Sequence, residues 1–279
     1  MTADHLFGTN LVAMVTPMNP DGSISTQGVN SLVDHLITTG ADGLVVAGTT
    51  GESPTLTDAE TTALIRAVAT QARGRAKVIA GIGTYDTATT IRRAVEAEAA
   101  GADALLLVTP YYSKPTQAGV IAHCRAVADA TTLPVMLYDV PHRTGLALAP
   151  ATITDLATHP HIHAIKDAKG DLAEAMTLMS TLAYYCGIDD LNLPYLAAGA
   201  TGLVSVTANL TATPNADLIH AIRTGDLDTA RAIHRSQIPV TAALTAASQG
   251  AANSKAALAE LRIIPHRSVR LPLLEGQPG

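Results

Sequence analysis

Lysine, cysteine and clustered basic charge are scarce in this sequence. Its 279 residues include five lysines and two cysteines, and charged side chains make up only 15%. With a formal charge of −6 and no Lys/Arg cluster, the chain lacks the electrostatic footprint of a nucleic-acid binder, whose affinity depends on neutralised phosphates. Cys124, in a helical pattern, and Cys186, in a strand pattern, have neither metal-ligand spacing nor a disulfide framework, and read as packed thiols. No apolar run reaches membrane-spanning length, and the opening Met-Thr-Ala-Asp-His lacks a basic segment followed by an apolar stretch. The expectation is a cytoplasmic protein with no membrane partner. Nucleotide signatures are missing too: no GxGxxG follows the first strand-like run, and the Gly/Thr-rich turn at 48–53 has no P-loop lysine. Small-molecule chemistry is left.

Apolar residues are plentiful, at 47%, enough for a sizeable core. They recur as short runs near 10–15, 43–47, 77–81, 104–108, 134–138, 162–166, 184–188 and 202–206. Runs without alternation suit parallel strands covered on both faces, and the segments between them are long enough for crossover helices. Eight alternations predict an α/β fold, a (β/α)8 TIM barrel, rather than an open sheet. Thr57-Asp58-Ala59-Glu60 matches a capping box, Gly40 and Gly101 sit where left-handed helix ends belong, and 86–100 carries helix formers behind a capping Asp86. After the eighth run the strand pattern ceases. Residues 214–247 and 253–264 read as helices, so the expected organisation is a catalytic barrel over 1–213 and a helical extension over 214–279.

In such a barrel the reactive face lies at the C-terminal ends of the strands. The residues just after each run are therefore the ones to read for chemistry. Lys166 ends the sixth run, in "HAIKDAKG". An ammonium at the end of a buried strand loses hydration, so it must be compensated or shed its proton. A neutral lysine amine is a nucleophile toward ketones and aldehydes, and the alternative is a salt bridge with Asp167. "GTTGES" (48–53) offers glycines, turned-in amides and the hydroxyls of Thr49 and Thr50, a donor array suited to a small carboxylate, or a plain turn. Tyr111, Tyr112 and Tyr138 stand near strand ends in a chain with seven tyrosines, where a phenol can pass a proton or simply pack. Arg143, in the loop after the fifth run, suits a bidentate carboxylate contact. An amine nucleophile, phenols, a carboxylate cradle and a second carboxylate clamp together describe Schiff-base chemistry on a 2-oxo acid. His159, His161 and His163 alternate in a way that could share a metal, but they precede Lys166, toward the other end of the strand. No metal, nucleotide or flavin is required by any motif.

These motifs, "NLVAMVTPM", "GTTGES", "VTPYYSKPTQ", "YDVPHRTG", "IKDAKGD", "GATGLVSVTAN" and "AALAEL", span nearly the whole chain in order. The sequence resembles the class I pyruvate aldolase family that includes N-acetylneuraminate lyase, and within it the dihydrodipicolinate synthases. The resemblance implies that Lys166 forms an imine with pyruvate and that the Thr50 amide and hydroxyl hold the pyruvate carboxylate. It implies that Tyr138 moves protons, with Thr49 and Tyr112 continuing the relay. Val204 matches a position whose backbone carbonyl faces the pyruvate moiety. Tyr112 would reach into a neighbouring subunit's site, implying a tight dimer paired into a homotetramer. The enamine formed from pyruvate would attack L-aspartate 4-semialdehyde, whose carboxylate Arg143 would anchor directly or by ordering Tyr138. Relatives acting on sugar acids generally lack that arginine, and the neuraminate lyases often have Ser in place of Thr49. Another pyruvate-dependent aldolase or hydratase is the alternative, and a non-catalytic barrel is a third. Asp139 stands where Asn is more frequent. At the positions of the lysine-feedback site in regulated enterobacterial synthases this chain has Asp58, Thr61, Tyr85 and Thr89, instead of a His, His, Asn and Glu pattern, which implies weak or absent lysine inhibition.

Overall fold

The computed structural model describes residues 2–276. Eight parallel strands close into a barrel in sequence order, β1 (Asn10–Ala13), β2 (Gly43–Val46), β3 (Lys77–Gly81), β4 (Ala104–Val108), β5 (Val135–Asp139), β6 (Ile162–Asp167), β7 (Ala183–Cys186) and β8 (Gly202–Ser205), with β8 pairing back onto β1. Each of the eight expected runs contributes one strand. A short helix α1 (Ala3–Phe7) precedes the barrel. The outer ring is built from α2 (Thr26–Thr38), α3 (Asp58–Ala72), α4 (Thr87–Ala99), α5 (Gln117–Asp129), the pair α6 (Pro141–Thr144) and α7 (Pro150–Leu156), α8 (Leu172–Leu178), α9 (Asn192–Ala197) and α10 (Ala208–Arg223). Two further helices follow, α11 (Leu227–Thr245) and α12 (Gly250–Glu260), and then a segment without helix or strand over 261–276.

The period of two in a strand divides each run between two cores. Val12, Leu44, Val78, Leu105, Leu137, Ile165, Tyr184 and Leu203 face the helices. Leu11, Val45, Ile79, Leu106, Met136, Ala164, Tyr185 and Val204 fill the barrel interior. Phe7 of α1 packs edge-on against Tyr185, with ring centroids 6.2 Å apart, and the Tyr185 hydroxyl donates to the Gly8 carbonyl at 2.8 Å. This apolar plug stops the N-terminal end of the barrel, and the opposite mouth stays polar.

Local signals set the helix ends. Thr57 and Glu60 form the reciprocal capping box at the start of α3, Asp86 caps α4 by accepting the Thr89 amide at 2.7 Å, and Gly40 and Gly101 both adopt positive φ. The helical reading of 214–247 is corrected: α10 begins at Ala208, and the chain breaks again at Thr224–Asp226, where Gly225 takes φ 78° and Asp226 caps α11. Within α10 the backbone kinks at Thr211 (φ −117°, ψ 29°), three residues before the expected helix start at Pro214. The expected helix 253–264 is α12, which starts at Gly250 and stops at Glu260.

Candidate active site

Strand parity decides which side chains enter the barrel mouth. Tyr138 and Lys166 are paired neighbours on β5 and β6 and share the inward parity of Met136 and Ala164, whereas Asp139 and Asp167 point outward. The Lys166 side chain is buried, and its Nζ lies 4.2 Å from the centre of the Tyr138 ring. The salt-bridge alternative fails. Asp167 instead accepts the Lys169 amide at 2.8 Å, the Gly170 amide at 3.2 Å and the Tyr195 hydroxyl at 2.9 Å. Lys166 makes no ion pair with any described residue. Gly187, directly after β7, gives the lysine its room: a Cβ there would stand 2.9 Å from Lys166 Cε and 3.0 Å from Cγ.

Lys166, Tyr138, Thr49, Thr50 and Arg143 line one cavity of about 240 Å³ at the mouth. Thr49 and Arg143 also line an adjoining cavity of about 490 Å³ that reaches Ser53, Tyr85 and Tyr111. Several donors of the residues around this space are unspent. The backbone amides of Thr49 and Thr50, with that of the adjacent Gly51, the Thr50 and Tyr138 hydroxyls and the Arg143 guanidinium find no acceptor among the described residues. Successive unpaired amides and a hydroxyl on one tight turn are the kind of donor array that suits a small anion. The turn is held in a costly conformation, with Ala47 at φ 53° and Glu52 at φ 60°, both left-handed without being glycine. The Thr16 hydroxyl donates to the Gly51 carbonyl at 2.7 Å, and the Glu52 amide to the Thr49 carbonyl at 3.1 Å.

Two of the expected site residues, Val204 and Tyr112, do not line this cavity. The Val204 side chain is part of the inner core with no exposed surface, and Val206, two residues further along and of the same parity, stands on the cavity wall. Tyr112 stands outside the cavity at φ 72° and 92% exposed, because the loop after β4 carries it away from its own barrel; its neighbour Tyr111 turns inward, edge-on to Tyr85 at 5.4 Å.

Other groups escape a reading of motifs. Asp189 is buried and accepts the Ser205 hydroxyl and the Val206 and Thr207 amides, both at 3.1 Å, so it ties the loop after β7 to the loop after β8. The pair of aspartates after the seventh run was the only signal for it. Asp139, facing outward beneath the mouth, is held by the Leu148 amide at 3.2 Å. Burial pushes its carboxyl up to about 7, with the nearby Asp167 charge adding to the effect. The histidines of the sixth strand are engaged at the far end: His159 contacts Asp129 at 3.0 Å and His161 the Ala128 carbonyl at 3.0 Å. Cys124 and Cys186 are both buried free thiols.

Comparison with known proteins gives one answer. Residues 6–277 match the profile of the Dihydrodipicolinate synthetase family. Two curated relatives called 4-hydroxy-tetrahydrodipicolinate synthase are similar throughout: one from Acidothermus cellulolyticus at 51% identity, covering 96% of this chain and 87% of that protein, and one from Mycolicibacterium paratuberculosis at 50%, covering 97% and 90%. A crystal structure of a dihydrodipicolinate synthase from Bacillus anthracis superposes with a TM-score of 0.93 at 40% identity, over 97% of this chain and 94% of that one. With a family profile spanning the barrel and its extension, and relatives at half identity, the chain belongs to the dihydrodipicolinate synthetase family.

Proposed function

We propose that this protein is a 4-hydroxy-tetrahydrodipicolinate synthase, a lyase that condenses pyruvate with L-aspartate 4-semialdehyde through an imine on Lys166. The observation that carries the reading is an enclosed lysine nitrogen with no carboxylate partner, facing the same small cavity as an unoccupied set of carboxylate donors.

The Thr50 amide and hydroxyl, with the neighbouring amides, take the pyruvate carboxylate and present the keto carbon to Lys166 Nζ. The amine adds to that carbon and water leaves, forming the imine. The imine withdraws electrons from the adjacent methyl group, so loss of a methyl proton gives an enamine. Tyr138, whose ring centre lies 4.2 Å from the lysine nitrogen, carries protons in these steps, and Thr49, on the wall of the same cavity, extends the path toward the adjoining one. The enamine carbon attacks the aldehyde, forming the carbon–carbon bond. The semialdehyde's own amine then adds to the imine carbon and expels Lys166 as the ring closes, so that one water is released overall. Arg143, at the junction of the two cavities, meets the carboxylate of the second substrate. In this reading Tyr112 completes the relay from a neighbouring copy of the chain, in a dimer that pairs into a tetramer, since its own subunit leaves the ring 92% exposed.

Borohydride reduction in the presence of pyruvate, followed by peptide mapping, tests the site. The expected result is a single adduct on Lys166, and label on Lys114 or Lys169 instead would overturn the assignment. Turnover of L-aspartate 4-semialdehyde is expected to exceed that of N-acetylmannosamine and glyceraldehyde; preference for either sugar aldehyde would remove the biosynthetic reading.

A further inference from the structure

A second buried lysine lies far from Lys166 in sequence and close to the site. Lys255, on the second turn of α12, has no exposed side-chain surface and pairs with Glu52, which is likewise fully enclosed. The network around the two is closed. Lys255 Nζ also donates to the Ser268 carbonyl at 2.8 Å, and the second Glu52 oxygen accepts the Arg270 amide at 2.9 Å. The Arg270 guanidinium continues outward to the Thr55 carbonyl at 2.6 Å and to Glu60 of the α3 capping box.

A dry ion pair is a poor source of stability. Two charges withdrawn from water cost more than their attraction returns unless every lone pair is met, and apolar residues of similar volume often serve as well. What such a pair does provide is a fixed geometry. Here it fixes Glu52, the residue at φ 60° whose amide closes the turn onto the Thr49 carbonyl and whose own carbonyl receives the Thr55 hydroxyl at 3.0 Å. The left-handed backbone at Glu52 and at Ala47 persists only if the surroundings over-determine it. Thr49 and Thr50 hang between those two strained points. The helix that carries Lys255 also reaches the cavity, where Gly250 forms part of the wall.

We propose that Lys255 is a positioning residue for pyruvate: by clamping Glu52 from the C-terminal extension, it holds the Thr49–Thr50 turn in the shape that receives the carboxylate. The proposal rests on the reading of that turn as the carboxylate cradle. Lys255 touches no reacting atom, so its removal acts on the affinity for pyruvate and leaves the amine on Lys166 in place.

The test compares wild-type protein, Lys255→Met and the double variant Lys255→Met/Glu52→Gln, reading thermal melting, the pyruvate concentration that half-saturates borohydride trapping on Lys166, and KM for each substrate. In Lys255→Met a buried carboxylate is left unpaired, so melting falls and half-saturation by pyruvate rises about 10- to 100-fold, as expected for a donor array displaced by about an ångström. The double variant has no buried charge: its melting recovers while the raised pyruvate requirement persists, and KM for the semialdehyde stays near the wild-type value. A double variant that traps pyruvate with wild-type half-saturation overturns the proposal, as does a Lys255→Met protein that loses kcat and melting temperature with KM for pyruvate unchanged. If Lys255→Met does not accumulate in folded form, the double variant decides alone. Wild-type protein that traps no pyruvate on Lys166 would instead defeat the functional reading on which the proposal stands.

Discussion

At the scale of the residue, the site depends on which atoms are left without partners. Lys166 is enclosed between the Tyr138 ring and Gly187, and the glycine at 187 is a matter of space. Gly187→Ala puts a methyl group 2.9 Å from both Lys166 Cε and the Asp167 carbonyl, so the lysine must swing aside. We expect kcat to fall by about 100-fold and melting to fall with it, because the Asp167 carbonyl is strand backbone and cannot swing aside as the lysine can, measured by steady-state assay beside calorimetry. Asp139 gives a second expectation. Its carboxyl is raised from the ordinary value of 3.8 to about 7 by burial, so the folded state binds the proton more tightly than the unfolded chain does. The stability it contributes is present in full below the unfolded value and is lost as pH rises through that window toward the folded value. Asp139→Asn is therefore expected to raise the melting temperature at pH 8 and to flatten its decline between about pH 4 and pH 7. A variant whose melting curve keeps the wild-type slope across that range would contradict the assignment.

At the scale of the element, α3 and α4 bear on regulation. Asp58, at the first position of α3, is spent on Arg92 at 2.6 Å and Arg93 at 2.8 Å, and the arginine contacts hold its carboxyl below the usual range. Tyr85 packs edge-on against Tyr111. These are two of the positions at which the family's feedback site would hold lysine: the Asp58 carboxylate is already spent on two arginines, and Tyr85 brings a phenol without a formal charge. Steady-state rates are expected to be insensitive to lysine, and strong inhibition by submillimolar lysine would contradict this. The elements themselves were largely legible in the amino-acid order. Unalternating apolar runs declared all eight strands, and the Thr57, Asp86 and Gly101 signals fixed helix ends through local hydrogen bonds and backbone freedom. The break between α10 and α11 was also written locally, in Gly225-Asp226, but the apolar pattern on either side hid it. The lining of the cavity was legible where residues sit at or just past a strand's C-terminal end, as for Lys166, Tyr138, Thr49, Thr50 and Arg143. It was not legible where distant segments meet. Nothing local relates Glu52 to Lys255, 203 residues away, and no motif pointed to Val206 on the cavity wall.

At the scale of the whole molecule, an exposed Tyr112 predicts that the site is shared between copies. Tyr112→Phe and Lys166→Ala subunits, each impaired alone, are expected to recover activity when co-expressed. Random pairing makes half the dimers mixed, each with one whole site, so recovery approaches roughly a quarter of the wild-type rate. No recovery in a preparation shown to contain mixed dimers would mean that each barrel works with its own residues only. The plug of Phe7 against Tyr185 has a consequence for the order of events. With the floor stoppered, the barrel is a cul-de-sac. The water expelled when pyruvate is captured must back out through the doorway by which both reactants arrive, so a bulky aldehyde seated early would cork the exit. Pyruvate is therefore expected to enter and dehydrate before the second guest is admitted, an order that initial-rate patterns check.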